Sequence, residues 1–424
     1  MTEHAWIALL VFVFVYAIII SEKIHRTKIA LLGAVAVIFL KIMTQEQAIA
    51  IVDFNTLGLL IGMMIIVSIT RKTGLFQYLA IKSAKMVKGN PVQILIVFFW
   101  LTAVASAFLD NVTTVLLFTS IIFAITDVLE VNPVPFLISE ILASNIGGTA
   151  TLIGDPPNIM IGGATGLGFN DFIMNLTFPI VLVGIATCWL LVLFYRKDLR
   201  VGEDKQLKVM ELKEEESLTD VSLLKKSLAV LGVVMLGFVL HQMLHFQSAT
   251  IAMGGAALLL LVSGIEPEEI FNEVEWNTIF FFIGLFILVG GLEVTGIIKM
   301  VAKWSLDVTS GNVVLMHFLI LWLSAIGSAF VDNIPFVATM IPLIKSMAEL
   351  GHMDVTSLWW TLSLGACLGG NGTIIGASAN VVVSSIAAAK GRPISFGYYF
   401  KIAFPLMLVS VIICNIYIYL AYLR

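Results

Sequence analysis

Apolar runs long enough to cross a membrane alternate along this chain with short polar connections. A transmembrane helix needs about 20 consecutive apolar residues, so each run predicts one crossing. The pattern predicts an all-α polytopic membrane protein with five crossings in each half. The runs begin near Ala5, Ile29, Phe54, Val134 and Phe172 in the first half, and near Ser227, Thr250, Trp276, Leu358 and Tyr399 in the second.

Between the third and fourth crossing of each half lies a longer apolar segment, 91–126 in the first half and 311–346 in the second. Each carries an Asp-Asn pair near its middle, Asp110-Asn111 and Asp332-Asn333. Two straight spans would place these carboxylates at the far membrane surface. A re-entrant hairpin would instead enclose them in protein near mid-membrane, where non-helical backbone is tolerated. We expect such a hairpin in each half.

The two halves are copies of one unit, and equivalent positions are separated by 222 residues. Because five crossings is an odd number, the second copy must be inverted relative to the first. Inverted repeats with glycine-broken helices in matching places are typical of secondary transporters. We predict membrane repeats at 1–196 and 227–424, broken helices at about 134–163 and 357–389, and a linker at 197–226.

Composition supports a membrane protein, and charge predicts its orientation. The chain is 59% hydrophobic and 12% charged, with a mean hydropathy of +1.02, which excludes a soluble domain. A net charge of −4 gives no indication of nucleic-acid binding. Of the 24 Lys and Arg residues, 19 fall on one side of the predicted topology, and positively charged loops mark the cytoplasmic side. We therefore expect both termini outside the inner (plasma) membrane and the 197–226 linker in the cytoplasm.

Asp110 and Asp332 are the strongest candidates for function, because an ionisable side chain within a membrane is costly and is kept mainly for binding or relay. Each carboxylate can take up a proton, or hold a sodium ion, which prefers oxygen ligands. The structural alternative is that each caps the second helix of its hairpin. Nearby residues that would add neutral polar contacts are Asn111, Thr113, Thr114 and Asn333.

Glycine-rich segments at 143–158 and 367–380 should break one crossing helix of each repeat and free backbone groups that can bind a ligand. Close packing against a neighbouring helix is the structural alternative. The repeats differ at Asp155, which is matched by Ala377, and Glu140 is a candidate for a proton path. The candidate substrate or ion ligands in these segments are Asn145, Thr149, Thr151, Asp155, Asn158, Asn371, Thr373, Ser378 and Asn380.

Enzyme chemistry finds no support in the sequence. The three cysteines lie far apart in apolar stretches, so neither a disulfide framework nor a structural metal site is expected. Catalytic Ser-His-Asp sets and phosphate-binding Gly-Lys loops are also missing from the sequence. We expect no enzymatic activity and no cofactor.

The segment 147–158, Gly-Gly-Thr-Ala-Thr-Leu-Ile-Gly-Asp-Pro-Pro-Asn, together with the two Asp-Asn hairpins, resembles the ion transporter superfamily over nearly the whole chain. It is most similar to the branch that holds arsenite permeases, D-type sodium–proton antiporters and the melanosomal P protein. The resemblance implies a homodimer in a lipid bilayer that moves a small inorganic solute by elevator-like motion against a fixed scaffold. It also implies coupling to protons, sodium or both, and an ATPase partner if the chain belongs to an arsenical pump.

In the more distant divalent-anion/sodium symporters, Ser-Asn-Thr triplets at the hairpin tips hold sodium and a carboxylate substrate. Asp110-Asn111-Val112 and Asp332-Asn333-Ile334 stand in their place here. A dicarboxylate between two ionised aspartates would meet repulsion of about 4 kcal/mol per pair at an effective dielectric near 20. We therefore expect a proton-coupled antiporter, with arsenite or antimonite export ahead of sodium–proton exchange. Carboxylate transport, and an ion channel whose pore the hairpins line, are the remaining alternatives.

Overall fold

The computed structural model describes residues 2–21 and 23–424, and within these ranges the chain forms helices, turns and connections without a β-strand. The helices of the first repeat are α1 (Glu3–Ser21), α2 (Arg26–Phe39), α3 (Gln45–Ile51), α4 (Phe54–Arg71), α5 (Leu75–Met86), α6 (Pro91–Phe108), α7 (Asn111–Leu129), α8 (Val134–Thr149), α9 (Pro156–Thr165) and α10 (Phe169–Tyr195). The linker contains α11 (Glu203–Met210) and a 3₁₀ turn, Glu214–Ser217.

The second repeat follows the same order of elements. Its helices are α12 (Val221–Leu244), α13 (Ser248–Ser263), α14 (Pro267–Phe271), α15 (Trp276–Val294), α16 (Ile297–Thr309), α17 (Val313–Phe330), α18 (Asn333–Gly351), α19 (Thr356–Gly369), α20 (Ser378–Ala389) and α21 (Phe396–Tyr422). Two 3₁₀ turns, Gly370–Gly372 and Ile374–Gly376, lie between α19 and α20. Adding 222 to the bounds of α6 and α7 gives those of α17 and α18 to the residue. The expected all-α fold of two repeats is therefore confirmed.

Ten helices in the described ranges are long and apolar enough to cross a membrane. Six are predicted crossings (α1, α4, α10, α12, α15 and α21), and four are the arms of the hairpins, α6–α7 and α17–α18. Helices α2 and α13, with 14 and 16 residues, and the broken helices α8–α9 and α19–α20 complete five crossings per repeat. The structure also contains short helices, α3 and α14, that the apolar pattern did not predict.

Hairpin arms of 18 or 19 residues are about 27 Å long, which is enough to span the hydrocarbon core alone. The tip of the first hairpin nevertheless borders the same cavity as Leu60 and Met64, which lie near the middle of α4. Since α4 is itself a spanning helix, the tip lies at mid-depth and the hairpin is re-entrant. The ends of the two arms that are remote from the tip therefore lie close to, or beyond, the membrane surface.

Helix contacts follow the pseudo-symmetry of the two repeats. In one layer, α2 packs on α15 and α4 packs on α13, so each repeat contributes to both pairs. In the other layer, each hairpin packs on the broken helix of its own repeat, α6 on α8 and α17 on α19. The second arms cross to the other repeat, α7 onto α20 and α18 onto α9, and α8 meets α19 at the centre. The site described below lies where the two repeats interlock.

Gly147 and Gly369 are equivalent glycines that allow the hairpins to press against the broken helices. A Cβ atom on Gly147 would overlap the carbonyl oxygen of Ala103 in α6, and one on Gly369 would overlap that of Ala325 in α17. Backbone contact this close leaves no room for a side chain. These two glycines therefore have the packing role that the sequence left as an alternative.

The linker is folded against the base of the first hairpin. Glu130, directly after α7, pairs with Lys205 of α11 at 2.8 Å, and Lys85 of α5 pairs with Glu214 at 2.6 Å. Val209 of α11 is fully buried beneath this contact. The ammonium group of Lys85 holds the pKa of the Glu214 carboxyl below its usual range. The linker is therefore a docked segment with two small elements of its own.

Candidate functional site

The hairpin tips and the helix breaks of both repeats meet at the centre of the molecule. Helices α7, α9, α18 and α20 all begin there, so four helix N-termini converge on one region. Backbone N–H groups at helix N-termini are electropositive and favour negative charge nearby. Three of these termini follow an aspartate of the chain itself: Asp110, Asp155 and Asp332.

Asp155 is fully buried and joins the two repeats through the asparagines of both tips. Its carboxylate accepts from Asn111 Nδ2 at 3.2 Å and from Asn333 Nδ2 at 3.3 Å. Among the described residues it forms no ion pair, so its partners are neutral amides. Ala377 takes the equivalent place in the second break and is equally buried.

Asp110 and Asp332 both cap the second helix of their hairpins, yet their surroundings differ. Asp110 accepts from the backbone N–H of Thr113 at 2.8 Å and from the Thr113 hydroxyl. Asp332 accepts from the N–H of Ile334 at 3.0 Å, from Ser378 Oγ at 2.9 Å and from Arg26 Nη1 at 2.6 Å. Both aspartates therefore have the capping role that the sequence left as an alternative, and of the two only Asp332 has a cationic partner.

Asn145 is the central neutral residue of the cluster. Its Nδ2 donates to Asn371 Oδ1 and to Asn380 Oδ1, both at 2.9 Å, and its Oδ1 accepts from Asn111 at 3.1 Å. Asn371 and Asn380 belong to the second repeat, so this one side chain connects the first hairpin tip to the opposite break. All four asparagines are buried.

Asn158 and Asn380 have the same task in the two breaks. Asn158 Nδ2 donates to the carbonyls of Thr149 at 3.0 Å and Thr151 at 2.8 Å. Asn380 Nδ2 donates to those of Gly370 at 2.7 Å and Thr373 at 2.8 Å. Each amide therefore donates to carbonyl groups that the broken helix leaves unpaired. Such donors are needed because a buried carbonyl group without a hydrogen-bond partner is costly.

Four of the five candidate threonines of the site donate to backbone carbonyls, the exception being Thr113. Thr114 donates to Asp110 O at 2.9 Å and Thr149 donates to Asn145 O at 2.6 Å, both within a helix. Thr151 and Thr373 are equivalent residues that tie each break to its hairpin, through the carbonyls of Ala107 and Ala329. These four hydroxyl groups hold the frame of the site together.

A small enclosed cavity of about 20 Å³, here called the central cavity, lies between the two tips. Arg26 and Glu275, which the sequence reasoning missed, line it beside Asp110, Asn111 and Asn333. Asn111 Oδ1 is buried and has no hydrogen-bond partner among the described residues. Its other lining residues are Leu60, Met64, Val112, Pro156, Thr278, Ile334 and Ser378.

Glu275 had a signal in the sequence, since it lies 222 residues after the acidic Asp53. It precedes α15 as Asp53 precedes α4. Arg26 had none, because it was indistinguishable from the other basic loop residues used for orientation. It contacts the second hairpin tip only because the fold packs the start of α2 against that tip.

Two larger cavities flank the centre. One, here called the vestibule, has a volume of about 370 Å³ and is lined by the end of α1, the start of α2 and the second hairpin tip, including His25, Arg26 and Asp332. The other, about 400 Å³, lies between the start of α4, the end of α15 and α18, with Asp53, Glu293 and Lys345 on its wall. On the expected orientation, the vestibule faces the cytoplasm.

Glu140 lies in α8 between the hairpin and the second repeat, and only 2% of it is exposed. Its Oε2 accepts from Thr119 at 3.1 Å, while Oε1 lacks a partner among the described residues. The equivalent positions in the second repeat are Leu362 and Ile341. The buried pair of Glu140 and Thr119 is therefore specific to the first repeat.

The described residues contain no group of three His, Cys, Asp or Glu side chains arranged to hold a metal ion.

Comparison with known proteins places these features in a family. A model of the citrate transporter family (CitMHS) matches residues 16–365. An uncharacterized transporter of Mycobacterium bovis is 43% identical over 98% of both chains. The human P protein is 34% identical, and the alignment covers 96% of this chain and 59% of the P protein.

The solved structure of the Alcanivorax borkumensis YdaH transporter is similar in fold, with a TM-score of 0.60, 11% identity and 99% coverage of both chains. At that identity the likeness concerns the fold alone. The expected resemblance is confirmed by the family match and by the P protein. The chain belongs to the citrate transporter family of the ion transporter superfamily, and it is a multi-pass membrane transporter, not an enzyme.

Proposed function

We propose that the chain is a proton-coupled antiporter that exports a small inorganic solute of the arsenite or antimonite type. The observation that carries this proposal is the burial of Asp155 between Asn111 and Asn333, the neutral amides of both hairpin tips. Burying an unpaired carboxylate is very costly, so a proton or a cation must neutralise it. A group that has to be neutralised at the junction of two repeats is suited to coupling.

The proton carrier in this proposal is Asp155, with Asp110 as the second candidate. Asp332 is the less suitable carrier, because the guanidinium of Arg26 already neutralises its charge at 2.6 Å. Loss of the proton from Asp155 strengthens its hydrogen bonds to the amides of Asn111 and Asn333. Since both asparagines also line the central cavity, the protonation of Asp155 changes what a solute meets there.

A neutral hydroxide such as arsenous acid matches this cavity in chemistry. Its O–H groups can donate to Asn111 Oδ1, the buried acceptor without a partner, and to the carboxylates of Asp110 and Glu275. Because arsenous acid is neutral, its binding requires no desolvation of a charge, and these carboxylates do not repel it. On the way from the vestibule it passes Arg26, which opposes a cation.

Sodium is the second candidate, supported by the size of the cavity. A volume of about 20 Å³ holds roughly one water molecule, which also suits a dehydrated small cation. Oxygen atoms of Asp110, Asn111, Glu275 and Thr278 line it, and hard cations prefer such ligands. In this version sodium and protons compete for the same acidic site.

Citrate is the name attached to the family model, and the site argues against it for this chain. Asp110, Asp155 and Glu275 are three acids near the centre that lack an ion-pair partner among the described residues. Each carboxylate pair at contact would cost about 4 kcal/mol at an effective dielectric near 20. Carboxylate transport therefore ranks third, and a channel fourth, since both tips close over the centre.

Glu140 offers the route by which a proton reaches the carrier. It lies about one and a half helical turns before Asn145 on α8, an axial distance of about 8 Å. Its unpartnered Oε1 has the capacity to pass a proton through a water molecule. A relay in the first repeat alone agrees with the position of Asp155, which is also in the first repeat alone.

Elevator-like movement fits the two layers of helices. The hairpins and broken helices share one layer, while the pairs α2–α15 and α4–α13 form the other. In our proposal the first layer carries the site across the membrane against the second, within a homodimer in the inner membrane. The termini lie outside and the linker lies in the cytoplasm.

The solute is identified by recording internal pH in proteoliposomes under an imposed proton gradient, with arsenite, antimonite, sodium, lithium and citrate added in turn. Proton movement triggered by arsenite or antimonite supports the first candidate. Movement triggered only by sodium or lithium replaces it with cation–proton exchange. Movement triggered only by citrate would overturn the charge argument, and solute flux that never moves protons would overturn proton coupling.

A further inference from the structure

The vestibule and the central cavity meet at two side chains. Arg26 and Ser378 line both spaces, whereas Asp332 lines only the vestibule and Asp110 only the central cavity. A solute that moves from one space to the other must therefore pass these two residues. The charged side chain of Arg26 is therefore the main obstacle between the two spaces.

Arg26 is held in this passage by three contacts. Its Nη1 donates to Asp332 Oδ2 at 2.6 Å and to Ser378 Oγ at 2.7 Å, and its guanidinium carbon lies 4.9 Å from the centre of the Phe281 ring. The two hydrogen bonds tie α2 to the second hairpin tip and to the start of α20. About a quarter of the arginine side chain, 26%, remains exposed. The guanidinium is thus fixed, yet open on one side.

We infer that Arg26 is a charge-selective gate between the vestibule and the central cavity. Its guanidinium must leave Asp332 and Ser378 before a solute passes, and while it stays near the passage it opposes cations more than neutral solutes. This inference rests on the proposed function only in naming a neutral solute as the one favoured. The barrier itself follows from the contacts.

The gate exists at one end of the site only. The residue 222 positions after Arg26 is Ser248, at the start of α13, and it has no charge. Asp110, the equivalent of Asp332, takes the hydroxyl of Thr113 as its partner. The two repeats therefore differ in how each hairpin tip is closed.

Arg26 also determines the sign of the charge that faces the passage. Among the described residues, the other ionisable side chains that line the two spaces are His25 and Asp332 in the vestibule and Asp110 and Glu275 in the central cavity. Without Arg26, Asp332 loses its ion-pair partner and these described linings contain no Lys or Arg, so the passage becomes attractive to cations. The effect on a cation is then larger than on a neutral molecule of similar size.

The test measures access to the central cavity with thiol reagents. Val112, which lines the cavity beyond the gate, is changed to Cys, and Val382, which lines the vestibule before the gate, is changed to Cys as the matched control. Labelling rates are compared for cationic, neutral and anionic methanethiosulfonates in detergent-purified protein. Each cysteine is combined with Arg26, Arg26→Gln and Arg26→Lys, and the parent chain gives the background from its three buried cysteines.

We expect Arg26→Gln to speed labelling of the Val112→Cys variant by all reagents, and by the cationic one at least about tenfold more than by the neutral one. Arg26→Lys should restore much of the selectivity, and labelling of the Val382→Cys variant should stay within about twofold. Equal acceleration of all three reagents, or no acceleration, would overturn the gate. These labelling rates do not depend on which solute is transported. The gate can therefore be refuted while the proposed function stands, and the proposed function can be refuted while the gate stands.

Discussion

Replacing Asn380 with Ala tests whether the shape that the two helix breaks share depends on amide side chains. The change removes two donated bonds, to Gly370 O and Thr373 O, and one accepted bond from Asn145. Thr373 O keeps the N–H of Gly376 and Asn145 Nδ2 keeps Asn371, so the cost is that of three lost hydrogen bonds, at about 1 to 1.5 kcal/mol each. We expect a loss of about 4 kcal/mol in the free energy of unfolding.

Thermal unfolding in detergent, followed by the fluorescence of the eight tryptophans, measures this loss. At about 1 °C per kcal/mol for a chain of this length, the unfolding temperature should fall by about 4 °C. Asn158→Ala should behave alike, because Asn158 also donates to two carbonyls of its break, those of Thr149 and Thr151, and accepts one bond, from Ser363. Asn272→Ala, at an exposed site, is the matched control and should change little.

If Asn380→Ala unfolds within about 2 °C of the parent chain but loses solute binding, the asparagine is a direct ligand, and our assignment of its amide to the released carbonyls is refuted. Loss of stability without loss of affinity in the surviving folded fraction supports the assignment. Measuring both quantities on one preparation separates the two roles.

Four other changes test separate parts of the account. Asp110→Asn should impair coupled transport while the protein still folds and inserts, whereas Asp332→Asn, which removes the partner of Arg26, should leave proton coupling in place. Normal exchange in the Asp110→Asn variant would refute a coupling role for Asp110. Glu140→Gln should slow proton movement at least about tenfold with little change in solute affinity, whereas Thr119→Val, which removes its one partner, should have a smaller effect. Gly147→Ala should prevent folding, seen as aggregation in size-exclusion chromatography, whereas Gly254→Ala, where a Cβ meets open space, should be harmless. The protection factors of the linker amides at 203–217 in hydrogen exchange should fall as the pH falls through the lowered pKa of Glu214, below its ordinary value of 4.5. The pair with Lys85 stabilises docking only while Glu214 is ionised, so the Lys85→Ala variant should lose this protection at neutral pH as well.

Much of the fold follows from the sequence, because a lipid environment leaves few choices. Backbone groups in hydrocarbon must pair internally, so apolar runs become helices, and a run that is interrupted by glycines must be enclosed by protein. The 222-residue shift carries Asp110 onto Asp332 and α6–α7 onto α17–α18, which is why the hairpins were predictable as a pair. Helices α3 and α14 were missed since short helices have no strong apolar pattern.

The sequence predicted many of the polar residues that gather at the centre of the molecule, but not which of them form hydrogen bonds with one another. Polar residues in apolar segments stand out, so Asp110, Asp155 and Asn145 were found. Which of them pair could not be deduced, because Asn145 contacts residues more than 200 positions away across the repeat interface. Arg26 was missed for the same reason. Its partner, Asp332, lies 306 positions along the chain, and a loop arginine carries no local mark of burial.

The most direct test of the central claim is proton movement through Asp155. Proteoliposomes that contain the parent chain, Asp155→Asn, or the exposed control Asp204→Asn are given an imposed proton gradient and whichever solute moves protons in the parent. The account predicts that Asp155→Asn still folds and binds solute but moves no protons with it, while Asp204→Asn matches the parent. Proton-coupled flux in Asp155→Asn at the parent rate would contradict the account, because the carrier would then lie elsewhere.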